Sequence, residues 1–262
     1  DQEVFDTERS IVQEELRQRV YAPPYGRLGR FVIGDNSFDE SIYRRSVIGS
    51  LEELNSARIE DARAFHEAYY RPANGTMIVS GNFDPAELNR LVDKYFGDIR
   101  NPDRPTPVFE RPVETPRTQP RMVEAYAPNV PLPAVAAIFP GVAANHPDAA
   151  ALDVLQAIMS RGESSRLYQA LVYETQLAAS AGFGPDDMEE GGGITVSGTD
   201  AQGKAIPDVE AALNAELDRV RNAPVTEAEL TEAKTEIVAS ALRLRETASG
   251  RGFLLGQSVR LA

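Results

Sequence analysis

The stretch Val4-Phe5-Asp6-Thr7-Glu8-Arg9-Ser10-Ile11-Val12-Gln13-Glu14-Glu15-Leu16 opens the chain with a helical pattern. At roughly 100° per residue, positions 4, 5, 8, 11, 12, 15 and 16 share one face, so a stripe of Val, Phe, Ile, Val and Leu carries two carboxylates, Glu8 and Glu15. They stand about two turns apart and project in nearly the same direction. An ionised carboxylate buried without a partner is costly, so such a pair calls for a cation, a donor network or a metal. The alternative is a stripe at the edge of an interface, where both side chains reach water.

The rest of the 262 residues reads as ordinary globular protein. The chain is 42% hydrophobic and 26% charged, enough for one or two domains. No run of apolar residues is long enough for a membrane span, and the first residues lack the basic and apolar regions of a signal peptide. A formal charge of −13 opposes binding to nucleic acid, which needs clustered Lys and Arg. With no Cys there is neither disulfide nor thiolate chemistry.

Taken in order, the first helix ends near Val20, because Ala22-Pro23-Pro24-Tyr25-Gly26 cannot continue it. A loop-rich zone follows. Residues 52–70 should be helical in two pieces, with Asn55-Ser56 breaking the first. Thr76-Met77-Ile78-Val79 has the length and flanks of a strand. Asp84 then suits an N-cap and Pro85 a first helical position, with Leu88, Leu91, Val92 and Tyr95 facing inward. Six prolines from Pro102 to Pro120 mark an extended connection whose backbone should be accessible. Beyond it, residues 122–126, 134–139, 177–183 and 194–197 read as strands, and 149–159, 208–221 and 226–246 as helices. Thr226 and Glu229 form a capping box for the last of these. Strand followed by helix near residues 77–84 and again near 194–208 is a weak internal repeat.

The pattern Glu8-Arg9-x-x-Val12-x-x-Glu15 resembles the downstream glutamate motif of the M16 zinc peptidases, the pitrilysin, insulinase and mitochondrial processing peptidase family. The resemblance continues through Ile48-Gly49, Asp61, Phe65, Tyr69-Tyr70-Arg71-Pro72, Ile78-Val79-Ser80-Gly81-Asn82-Phe83-Asp84 and Tyr95-Phe96-Gly97 to Ser164-Ser165-Arg166-Leu167-Tyr168. It implies an α+β fold of two related α/β-sandwich domains of the LuxS and processing-peptidase metallohydrolase type, the first incomplete at its N-terminus. On this basis residues 1–100 are the C-terminal part of the first M16 domain, 101–120 a proline-rich linker, and 121–262 a second M16 domain, itself incomplete at its C-terminus.

In the family, an H-x-x-E-H helix supplies two zinc histidines and the general base, and a Glu on a later helix supplies the third ligand. Carried over by position, Glu15 is that ligand and Glu8 its supporting carboxylate. No H-x-x-E-H occurs here; the only histidines, His66 and His146, stand in unrelated contexts. His66 reads as a packing or surface residue and His146, before Pro147, as a helix-entry residue. The resemblance therefore implies part of a zinc-dependent endopeptidase that encloses peptides in a chamber. This part lacks the catalytic helix and should be inactive alone, with Zn2+ in the parent protein and none held by this piece.

The family's Arg and Tyr pair near the scissile bond is also missing, since Val172 and Ala179 stand at those places. A second M16 half, in the same parent chain or as a subunit, is expected to supply it. By resemblance, Gly191-Gly192-Gly193 bounds a strand that can receive a peptide by strand addition, although a tight strand entry is the simpler explanation. Ser164-Ser165 lacks the spacing of a serine hydrolase elbow. If the source is bacterial, the resemblance suggests the periplasm. The alternative function is a noncatalytic M16-like structural or partner-binding subunit; retention of both Glu8 and Glu15 favours the enzyme.

Overall fold

The computed structural model describes residues 1–112, 114, 115 and 117–261. Helix α1 (Gln2–Leu16) begins at Asp1, whose side chain accepts the Val4 N–H, and widens into a π-helical turn over Arg17–Tyr21 before the Pro23-Pro24 stop. The short helix α2 (Gly34–Ser37) follows. Helices α3 (Leu51–Ser56) and α4 (Ile59–Tyr69) are the two expected pieces, the first capped reciprocally by Ser50 and Glu53. Helix α5 (Pro85–Phe96) starts as its sequence dictates, with the Asp84 side chain accepting the Glu87 N–H and Pro85 at the first position.

The second half carries the sheet. Strands β1 (Ala134–Pro140), β2 (Ala178–Asp187) and β3 (Gly192–Asp200) lie in the order β1-β3-β2, antiparallel throughout. β3 is central, with Val196 opposite Ala137 on one side and Phe183 on the other. Between β1 and β2 come α6 (Ala149–Ser160) and a π-helical segment, Tyr168–Glu174. After β3 come α7 (Ile206–Asn222), α8 (Glu227–Glu246) and α9 (Ala248–Leu261). Met159, Leu167, Leu171, Val196 and Val209 are fully buried between helices and sheet. Gly198 permits this approach: a Cβ there would lie 3.0 Å from Val209 Cγ1. The Ser160 hydroxyl donates to the Phe183 carbonyl at 2.7 Å and ties α6 to β2, while Ala157, Ile158 and Ala233 join α6 to α8.

Two expected strands do not form ladders. Residues 76–80 pair with no strand among the described residues, with Met77 and Val79 half exposed; residues 122–126 are likewise unpaired, with Met122 and Tyr126 almost fully exposed. An apolar β-prone run specifies a strand only where a partner offers donors and acceptors. What residues 78–80 do meet is α9. The Ser80 hydroxyl donates to the Ala248 carbonyl, and Gly252 and Gly256 turn their bare Cα atoms toward Ser80 and Ile78.

The two halves differ sharply in core. Of the buried hydrophobic residues described, only Leu16, Val20 and Ile59 precede residue 120, against twelve after it. The total accessible surface is 17981 Å2, whereas a compact chain of this mass would expose roughly 11,000 Å2. The first half therefore leaves much apolar surface uncovered.

The buried acids described, Asp200 and Glu216, both lie in the second half, as does a half-buried ion pair. Arg166 donates through Nε and Nη2 to the two Glu229 oxygens at 2.6 and 3.0 Å. Against partial burial, this contact and the Thr226 N–H and hydroxyl hold the Glu229 carboxyl down to about 2. A depressed carboxyl stabilises the fold above its unfolded value and loses that contribution as pH falls, here from about 4.5 toward about 2. Glu229→Gln should lower stability by about 1.5–3 kcal/mol at neutral pH, and the deficit should shrink in acid; thermal melts of both proteins from pH 7 to 3 check this. Asp200 is fully buried and neither of its oxygens has a protein partner, so burial pushes its carboxyl up. The unfolded state then releases the proton first, and stability falls as pH rises through this range. Asp200→Asn should raise the melting temperature at pH 7 to 8, a gain that vanishes in acid.

Candidate functional site

The candidate site is the exposed side of α1. Because Glu8 and Glu15 lie in one uninterrupted helix, they share a face, about 10 Å apart along the axis. The helix is held in place from its other side: Arg9 donates to the Ala57 carbonyl at 3.0 Å, and Gln13 donates to Asn55 Oδ1 at 2.9 Å. Leu16 and Val20 anchor its C-terminal end in the small core of the first half.

The apolar stripe around the carboxylates is partly bare: Phe5 and Val12 are half-buried and Leu16 is buried. Val4 is 57% and Ile11 54% exposed. Glu8 is exposed at the rim of a shallow groove of about 380 Å3 between α1 and α4, which Val4, Phe5, Arg63 and His66 also line. Glu15 is partly exposed and pairs with Arg19 one turn later at 2.7 Å. The His66 ring stacks on Tyr70 at 4.8 Å, part of an exposed aromatic group with Phe65, Tyr69 and Phe109. His146 accepts the Asp148 N–H through Nδ1 just ahead of α6, the helix-entry role its Pro147 neighbour suggests.

These donors do not make a zinc site by themselves. Glu15 has a cation rather than a metal-binding neighbour, and the described residues contain no cluster of three or more His, Cys, Asp or Glu placed to hold a metal ion. Zinc would need two or three further nitrogen or sulfur ligands at this face.

Gly191–Gly193 enter the central strand. The Gly192 carbonyl accepts the Gly141 N–H, the Gly191 carbonyl accepts the Met188 N–H, and Gly193 pairs with Pro140 and Asp186. A Cβ on Gly192 would meet the Asp186 carbonyl oxygen at 2.3 Å. Both sides of β3 are thus occupied, and the sheet's free edges belong to β1 and β2. Sequence reasoning missed two buried acids of the second half, Asp200 at the end of β3 and Glu216 within α7, where it pairs with Arg219 at 3.2 Å; neither position carries a local sequence signal of burial.

The fold, a small antiparallel sheet with packed helices joined to a helical half that carries paired glutamates, is that of the M16-like peptidases. Residues 56–237 match the model of the Peptidase M16 inactive domain, and the chain belongs to that family. The zinc protease PqqE of Helicobacter pylori (strain ATCC 700392 / 26695) is 27% identical over 249 residues, covering 94% of this chain and 55% of that protein. In solved structures, a protease from Helicobacter pylori superposes with a TM-score of 0.92 at 24% identity, covering 100% of this chain and 63% of that one. A peptidase M16 inactive domain from Pseudomonas fluorescens gives a TM-score of 0.69 at 13% identity, covering 92% and 57%. The chain therefore spans little more than half the length of the relatives it matches. It matches the model described as the M16 inactive domain, its sequence contains no H-x-x-E-H motif, and its relatives are named zinc proteases.

The exposure pattern on α1 has a measurable consequence. Ile11→Glu should cost less than about 0.5 kcal/mol in this chain, although its stripe position would suggest a core residue. Leu16→Ala, at the buried end of the same stripe, should cost about 2–5 kcal/mol. Urea unfolding of the two variants separates them.

Proposed function

We propose that this chain is the portion of an M16 zinc endopeptidase that follows the zinc helix, with residues 1–100 completing a first domain, 101–120 linking, and 121–262 forming a second. The observation that carries this reading is the partly bare α1 face, on which Val4 and Ile11 stand exposed beside Glu8 and Glu15. Apolar side chains aligned at helical spacing are favourable only when covered. An H-x-x-E-H helix laid on that face would bury the stripe and bring two histidines to Glu15, giving the three-ligand set that a catalytic zinc site needs. Bound zinc would supply an activated water for attack on a peptide carbonyl. Within this chain, Glu15 offers one carboxylate oxygen once released from Arg19, and Glu8 braces the neighbouring turn. The peptide would lie between this half and a second M16 half that brings the Arg and Tyr pair.

The purified chain should show no zinc-dependent, EDTA-sensitive hydrolysis of peptides, because it has neither the histidines nor the base; such turnover, with a contaminating protease excluded, would overturn the proposal. In a longer polypeptide carrying an H-x-x-E-H segment upstream, zinc should bind and Glu15→Gln should abolish tight binding. Glu8→Gln should weaken it by about 10 to 100-fold. Zinc affinity indifferent to Glu15→Gln in that polypeptide would favour the noncatalytic, partner-binding alternative.

A further inference from the structure

Residues 98–121 contain no helix or strand among those described, yet the run from Arg111 to Arg121 is fastened at both ends. At one end, the Glu114 carboxylate accepts three successive backbone N–H groups: Asp39 donates to Oε1 at 2.7 Å, and Glu40 and Ser41 donate to Oε2 at 3.0 and 2.9 Å. Arg117 donates through Nε to Asp39 Oδ2 at 2.6 Å and through Nη1 to the Asn36 carbonyl at 2.7 Å. Arg121 Nη2 reaches the same carbonyl at 3.0 Å and Asp39 Oδ1 at 3.1 Å. At the other end, Arg111 Nη1 lies 3.1 Å from Glu189 and 3.0 Å from Glu190, at the turn between β2 and β3.

One exposed ion pair contributes little. Here one carboxylate saturates three consecutive amides that have no other partner in sheet or helix, and the next carboxylate is held between two guanidinium groups. Charge-assisted bonds of this kind are individually stronger and geometrically specific. We infer that Arg111, Glu114, Arg117 and Arg121 form an electrostatic latch, which clamps residues 36–41 of the first half to the β2–β3 turn of the second and opens when salt screens its ion pairs. The inference stands on these contacts and is independent of the peptidase reading.

The charges facing one another set its pH response. Asp39 faces Arg117 and Arg121, Glu114 faces Asp39 and Arg117, and Arg44 donates to the Asp39 carbonyl. The Arg117 contact holds the Asp39 carboxyl below its usual range; for Glu114, partial burial pushes upward but the three N–H donors outweigh it. Lowered carboxyls support the latched state above the ordinary carboxylate range and cease to do so as pH falls through it.

Trypsin tests the latch on the intact chain. Arg104 and Arg111 precede proline and resist cleavage, so the accessible bonds in this run follow Arg100, Arg117 and Arg121. Arg100 has no part in the latch and serves as the internal reference. Cleavage after Arg117 and Arg121, relative to Arg100, should rise about tenfold in Glu114→Ala and in Asp39→Asn, since proteolysis follows the population of the open form. The wild-type chain should move the same way between 0.05 M and 1 M salt, where the screening length shrinks to about 3 Å. Amide exchange at Asp39, Glu40 and Ser41 should accelerate in Glu114→Ala, while exchange within β3 stays unchanged. Relative cleavage that is the same in wild type, Glu114→Ala and Asp39→Asn would overturn the inference.

Discussion

The saturation of β3 decides what this chain can and cannot hold by itself. Its backbone groups are taken on one side by β1 and on the other by β2, so its side chains can alternate between the two faces of the sheet with no backbone group of the strand left unpaired by its position. The residues at its buried positions, Val196 and Gly198, receive the helix that follows. The larger core of the molecule is built on this strand: α7 packs through Val209, α6 is tied by Ser160 to β2, and α8 joins by way of α6.

The first half lacks any such strand, and its energetics differ accordingly. Residues 76–80 have the composition of a buried strand but no ladder among the described residues. Their nearest support is α9, whose Gly252 and Gly256 allow it to lie close against them from 168 residues away in the Ser80 to Ala248 contact. Helices α1 and α4 meet the same shortage. Each has an apolar face that its neighbours only partly cover, so Val4, Ile11 and Phe65 stay in water. Polar staples therefore do what a core would otherwise do. The contacts of Arg111, Glu114, Arg117 and Arg121 and the bond from Tyr25 to the Leu132 carbonyl hold the halves in register, while Arg71 donating to the Arg104 carbonyl fastens the start of the connecting run to the first half.

Features encoded within a few residues were legible in the sequence. The Asp84-Pro85 start of α5, the break between α3 and α4 after Asn55-Ser56, and the Thr226 and Glu229 capping box all appear as expected, because each donor and acceptor lies within one turn of its partner. The common face of Glu8 and Glu15 was legible for the same reason. Strand pairing was not. A ladder is a contract between distant segments, and the runs at 76–79 and 122–126 satisfy only one side of it. The Arg166 to Glu229 bridge spans 63 positions, and Glu114 reaches the loop 73 to 75 positions before it; neither separation leaves a pattern in a single sequence. Sequence composition did mark residues 98–120 as extended, yet could not show that their arginines and Glu114 find partners on both sides.

The environment of Glu15 joins the fold to the proposed chemistry. A carboxylate meant for a metal must be kept charged and oriented before the metal arrives, or the cost of ordering it falls on binding. The helix fixes its backbone through buried Leu16, the next residue, and the ion pair with Arg19 keeps the side chain extended along the helix surface. The partner is mostly in water, with its own side chain 76% exposed, so the pair is cheap to break. A stronger anchor would compete with any cation that came to the face, and an apolar surrounding would neutralise the acid. In the proposed parent, Glu15 would thus be a ligand held in readiness at little energetic cost, on a face where Val4 and Ile11 are exposed.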